Sequence, residues 1–139
     1  MSIRLASSVF AALILAPLAA SAMTYEEAKA SGVSPVTGAE MLTCANYWGA
    51  WADSLNPDFY GEGSGIWTDS FVEGLNPEVQ LPAARETSDY WFATARAEYE
   101  KSEDAAGYDE AVAGLHEYYV EGLDNHKFMQ LLGECARPE

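Results

Sequence analysis

The stretch Glu40-Met-Leu-Thr-Cys-Ala-Asn-Tyr-Trp-Gly-Ala-Trp-Ala-Asp-Ser-Leu55 decides how the chain is organised. At about 100° per residue, Met41, Cys44, Ala45, Trp48, Trp51, Ala52 and Leu55 fall in one stripe, while Asn46, Asp53 and Ser54 fall outside it. A stripe holding two tryptophans and a cysteine describes a helix that buries one face and is tethered through it.

Outward from this helix, Thr37-Gly-Ala-Glu40 has the form of a capping box at its start, and Asn56-Pro57 ends it, because the residue before proline is driven out of the α region. Thr24-Tyr-Glu-Glu27 is a second capping box, opening a short helix that runs to Ser31 before Gly32. Residues 56–65 carry three glycines within five positions and are a loop, with Phe59 and Tyr60 inside it. A short helix is expected from Ile66 to Glu73, followed by a left-handed glycine stop at Gly74-Leu75.

Pro82 begins or kinks a long amphipathic helix from Leu81 to Lys101, with Leu81, Ala84, Trp91, Phe92, Ala95 and Tyr99 inward. Its outer face offers Arg85 with Asp89 and Arg96 with Glu100 as i,i+4 pairs. Glu103 to Gly107 is expected to be a turn, Asp109 to Glu121 a helix with Tyr108, Val112, Leu115, His116 and Tyr119 inward, and Gly122-Leu123 another glycine stop. A last helix, capped by Asp124, places Phe128, Leu131, Leu132 and Cys135 on one face. Short repeated phrases, Leu55-Asn-Pro-Asp58 with Leu75-Asn-Pro-Glu78 and Val72-Glu-Gly-Leu75 with Val120-Glu-Gly-Leu123, share no period and reflect repeated stop-and-restart chemistry.

Four main helices with short ones between them, and no alternating pattern anywhere, predict an all-α up-and-down bundle. Cys44 and Cys135 lie in the inward stripes of its first and last main helices, so a disulfide between them would close the bundle. The start of the chain sets the compartment. Met-Ser-Ile-Arg, an apolar run from Leu5 to Leu18, and Ala20-Ser-Ala22 are the parts of a secretory signal peptide cut after Ala22. Residues 1–22 are therefore expected to be removed and residues 23–139 to form a single helical domain, periplasmic or secreted, where paired cysteines oxidise. No later apolar run is long enough to insert in a membrane.

The full chain carries 22 acidic against 7 basic residues, a net charge of −15. That field repels phosphate backbones and anionic lipid, so nucleic acid is excluded as a partner, whereas cations and basic partners are admitted. No Gly-x-Ser-x-Gly or phosphate-binding glycine loop is present and the bridge leaves no thiol, so no catalytic residue is assigned. No cofactor is called for.

Two candidate sites remain. Phe59, Tyr60 and Trp67 on or beside loop 56–67 would contact an envelope protein or a small apolar or cationic ligand. His116, Glu117, Asp124 and His126 hold the donor types a divalent metal takes, although no histidine follows His116 at four residues, and His126 points about 160° away from Phe128. The segment from Asp58 to Asp69 has the length of a calcium loop and Gly63 at its sixth place, but Tyr60 and Gly65 break the pattern. The leading expectation is an exported acidic module that binds rather than catalyses. The alternatives are a metal-binding or metal-dependent protein and an envelope stress protein that loosens in acid.

Overall fold

A computed structural model describes residues 22–56, 58, 69–115 and 125–139, and over these the chain is all helical. The helices are α1 (Tyr25–Ala30), α2 (Gly38–Leu55), α3 (Asp69–Glu73), a 3-10 turn (Pro77–Val79), α4 (Leu81–Lys101), α5 (Ala105–Ala113) and α6 (Asn125–Glu134). Residues 1–21, and with them nearly all of the expected signal segment, lie outside the described residues.

Local chemistry fixes most helix ends. Thr24 Oγ1 accepts from the Glu27 amide at 3.2 Å while Glu27 Oε2 accepts from the Thr24 amide at 2.9 Å, which closes the first capping box. Thr37 and Glu40 repeat the exchange at 3.2 and 3.0 Å, and Glu40 also accepts from the Val36 amide at 2.8 Å. Gly32 takes the left-handed conformation (φ 75°) just past α1. Pro82 sits in the first turn of α4, where its missing N–H is no loss, so it starts the helix without kinking it.

The core is built on α2 and α4, which pack antiparallel. Gly38 lies against Tyr99, Ala45 accepts from Ser88, and Asp53 meets Arg85. Every residue of the expected α2 stripe is buried, together with Leu42 and Ser54. Ser54 departs from the expected outward position because its hydroxyl donates to the Trp51 carbonyl at 2.6 Å, and a satisfied hydroxyl can be buried at little cost. On α4 the buried set is Ala84, Thr87, Ser88, Trp91 and Ala95. Ser88 is admitted because it donates to the Ala45 carbonyl at 2.8 Å.

Cys44 and Cys135 are joined, Cα to Cα 5.3 Å, across this core. Around the bridge, the indole N–H groups of Trp48 and Trp91 both donate to the Cys135 carbonyl, at 2.8 and 2.7 Å. A helix leaves its last carbonyls without partners inside the helix, and burying that end demands donors from elsewhere. Here two tryptophans, on α2 and α4, supply them to the end of α6. Trp51 does the same for the Val79 carbonyl at 2.7 Å, fastening the 3-10 turn to α2. The six-residue α1 is too short to stand alone and crosses α6 at Gly133, where an added Cβ would collide with the Tyr25 carbonyl and lie 2.7 Å from Ala28 Cβ.

Four expectations are corrected. The turn expected over 103–107 is shorter than that: Glu103 adopts φ 56° and Asp104 N–H reaches back to the Tyr99 carbonyl at 2.9 Å, so α4 ends in a compact Schellman turn and α5 already starts at Ala105. Asp104 caps the new helix by accepting from the Gly107 amide at 3.0 Å, which places that glycine inside the first turn. The helix expected from Asp109 to Glu121 is interrupted at Gly114, the cap of α5, while residues 116–121, with His116 and Tyr119, lie outside the described residues; Tyr108 is buried and Val112 and Leu115 half-buried as expected. Gly74 follows α3 without positive φ, the stop being made by Leu75 N–H on the Val72 carbonyl at 3.2 Å. Neither i,i+4 pair on α4 forms. Arg85 reaches Asp53 across the helix pair at 2.9 Å, and Arg96 lies over the Tyr108 ring, 5.0 Å from its centre.

Candidate functional site

Of the residues singled out in the sequence, the structure brings together Cys44 and Cys135. Both are 5% exposed and bonded, so neither sulfur is available for nucleophilic or redox work in the folded state. Phe59, Tyr60 and Trp67 lie outside the described residues, as do His116, Glu117, Asp124 and most of the calcium-like segment. His126 is on the first turn of α6 and exposed, while Phe128 on the same helix is buried, as the helical phase requires. Among the described residues no three His, Cys, Asp or Glu side chains are grouped as a metal's donor set.

The described ends of the aromatic loop are anchored. Leu55 is buried at the end of α2, and Asn56 Oδ1 accepts from the Asp58 amide at 3.0 Å, an Asx turn that redirects the chain. On the far side, Val72 and Leu75 pack against the core.

A polar site that no motif announced lies where α1, the 3-10 turn, α4 and the C-terminal residues meet. A cavity of about 170 Å³ is lined there by Tyr25, Lys29, Glu78, Thr87, Arg137 and Glu139, with Ala83 and Pro138. The Tyr25 hydroxyl donates to Glu78 Oε2 at 2.8 Å, and Lys29 Nζ donates to both oxygens of Glu78 at 2.9 and 3.0 Å. Lys29 also stands 3.6 Å from the Glu139 carboxylate. The Lys29 ammonium, followed by the Tyr25 hydroxyl, holds the Glu78 carboxyl below its ordinary range, and the Glu78 carboxylate raises Lys29 in return. Burial, reinforced by Glu78, pushes Tyr25 above its usual value.

These shifts fix the pH window of the latch. A depressed carboxyl stabilises the fold above its unfolded value of about 4.3 and ceases to do so as pH falls through the lower folded value. A raised lysine contributes below about 10.4 and is lost as pH rises through its folded value, and a raised tyrosine makes folding less favourable once pH exceeds about 10. The latch is therefore whole between about pH 5 and pH 9 and weakens on both sides. Because Glu78 is half exposed the effect is small. The melting temperature is expected to fall on acidification from pH 6 to pH 3, and Glu78→Gln is expected to make that fall shallower. Identical acid limbs in the two proteins would contradict the assignment. Glu40, held low by the Thr37 and Val36 amides, is a second carboxylate of the kind that acid loosening requires.

An open groove of about 340 Å³ runs along α4 and α5 between Phe92, Arg96, Glu100 and Tyr108. Tyr99 meets Tyr108 edge to face there, with ring centres 5.8 Å apart. Neither this groove nor the polar cavity could be read from spacing. Tyr25 and Lys29 do share a face of α1 at i,i+4, but their partners come from positions 78 and 139. No family model, no curated protein and no solved structure matches the chain.

Proposed function

We propose that this protein is an exported, periplasmic or secreted, acidic helical module that acts by binding, with loop 56–67 as the contact surface for a partner protein. The observation that carries the proposal is the packing of the described residues on either side of that loop. Leu55 on one side and Val72 and Leu75 on the other are held by a core closed by the Cys44–Cys135 bridge. A segment with Phe59, Tyr60 and Trp67 between two fixed points is suited to recognition, because anchored ends reduce the ordering that binding demands. Aromatic side chains give much contact area for few torsions.

Two further observations agree with export. A disulfide persists in oxidising compartments, and among the described residues no helix is long and apolar enough to cross a membrane. The net charge of −15 favours a partner whose contacting face is basic, and makes association faster at low salt.

Crosslinking in the intact exporting cell, followed by mass spectrometry, tests the proposal. A discrete partner is expected with the unaltered protein, and the Tyr60→Ala, Trp67→Ala double variant is expected to lose at least about tenfold of the crosslinked product, equal to ~1.4 kcal/mol or more of binding. Equal capture by a double variant that melts like the parent would remove loop 56–67 from the function.

A further inference from the structure

The structure assigns to the cavity between α1, α4 and the C-terminal residues a second binding site, for the carboxylate of a small molecule, with Arg137 and Thr87 as its anchors. None of its lining residues belongs to loop 56–67. Thr87 carries the first half of the argument. It is 7% exposed, yet its hydroxyl has no hydrogen-bond partner among the described residues. Helix threonines usually donate to the carbonyl four residues back, as Thr94 does to Tyr90 at 2.8 Å and Thr43 to Ala39 at 3.1 Å. No buried side-chain oxygen or nitrogen in the described residues is both sealed and unpartnered, so the Thr87 oxygen opens onto the cavity its side chain lines. A hydroxyl so placed is satisfied by whatever fills that space.

Arg137 carries the second half. Lys29 is neutralised by Glu78 and Glu139, Arg85 by Asp53 and Lys101 by Glu98, whereas Arg137 lines the cavity with no ion pair among the described residues. Arg96 also lacks an ion pair but is stacked on the Tyr108 ring, whereas the guanidinium of Arg137, exposed at the rim of the cavity in a protein with three times as many acids as bases, is open to an anion. Its planar fork matches a carboxylate with two parallel N–H···O bonds, and the Thr87 hydroxyl adds a third donor on the cavity wall. Glu78 is engaged on both oxygens by Tyr25 and Lys29, whereas Glu139 meets Lys29 through Oε1 at the longer distance of 3.6 Å and keeps acceptor capacity for an ammonium group beside the carboxylate. The volume of about 170 Å³ admits a molecule the size of a short dicarboxylic acid or a small α-amino acid.

The test is titration of the oxidised, nitrogen-15-labelled protein with succinate and, separately, L-alanine, at constant ionic strength set with sodium chloride. Saturable amide shifts are expected at residues 25–29, 87, 136, 137 and 139 with at least one of the two. Binding of both means that the carboxylate suffices. Binding of L-alanine alone means that the ammonium is read as well, through Glu139. Arg137→Gln and Thr87→Val are each expected to weaken binding at least about tenfold, or ~1.4 kcal/mol. Thr87→Val should also leave the melting temperature unchanged or raised, because the hydroxyl it removes makes no bond in the fold. Shifts that stay linear with both molecules, that chloride reproduces, or that survive undiminished in either variant would overturn the site.

Discussion

Reducing the Cys44–Cys135 bridge is expected to destabilise the protein by roughly 4–5 kcal/mol, the largest single effect available in this chain. The two cysteines are 91 positions apart, so the bridge closes most of the domain into one loop and removes that much freedom from the unfolded chain. Small domains are stable by about 5–15 kcal/mol in total, which leaves the reduced form marginal. The folded side adds to the loss. α6 is only ten residues long, and the bridge ties its end directly to α2. Urea unfolding with and without reductant measures the difference. A midpoint shift equivalent to less than about 1 kcal/mol, at unchanged slope, would show that packing alone holds α6 in place.

The second large effect is expected from the two indoles that share one acceptor. Trp48→Phe and Trp91→Phe each remove one N–H and part of a ring from a fully packed site, at about 1–2 kcal/mol apiece. Each single variant still leaves the Cys135 carbonyl one donor. The double variant leaves it none. Cys135 is 5% exposed, and an unsatisfied buried carbonyl adds about 1–3 kcal/mol of its own. The double variant should therefore lose more than the two singles together, by at least about 1 kcal/mol in a double-mutant cycle. Additivity within about 0.5 kcal/mol would mean that water or a neighbouring amide replaces the indoles. The cycle also separates this carbonyl clamp from the bridge, because both variants keep the disulfide.

Much of the bundle was legible from local pattern. The capping boxes at Thr24 and Thr37 depend on residues three apart, the α2 stripe depends on helical phase, and the bounds of α4 follow from Pro82 and the run of periodic residues after it. The cystine was legible for a different reason, since two cysteines admit one intramolecular pairing and both fell on inward faces. What failed were the pairings of Arg85 and Arg96 and the outward placement of Ser54, which depend on what another helix brings near. Arg85 and Asp89 are spaced to pair, yet Arg85 turns to Asp53 because the antiparallel packing of α2 brings a carboxylate within 2.9 Å. Ser54, Thr87 and Ser88 break the apolar rule for buried positions, two of them because a carbonyl stands within reach and the third because a cavity does.

The amino-acid sequence by itself determined that this chain is helical, acidic and closed by one bridge, because capping, periodicity, charge and cysteine pairing act over a turn or two of helix or on the chain as a whole. Tertiary structure alone decided that two tryptophans cap the end of α6, that α1 crosses it at Gly133, and that Tyr25, Lys29, Glu78, Thr87 and Arg137 surround one cavity. Those arrangements join positions up to 112 residues apart. A hydrogen bond or a close contact has no signature in spacing until packing has chosen which faces meet.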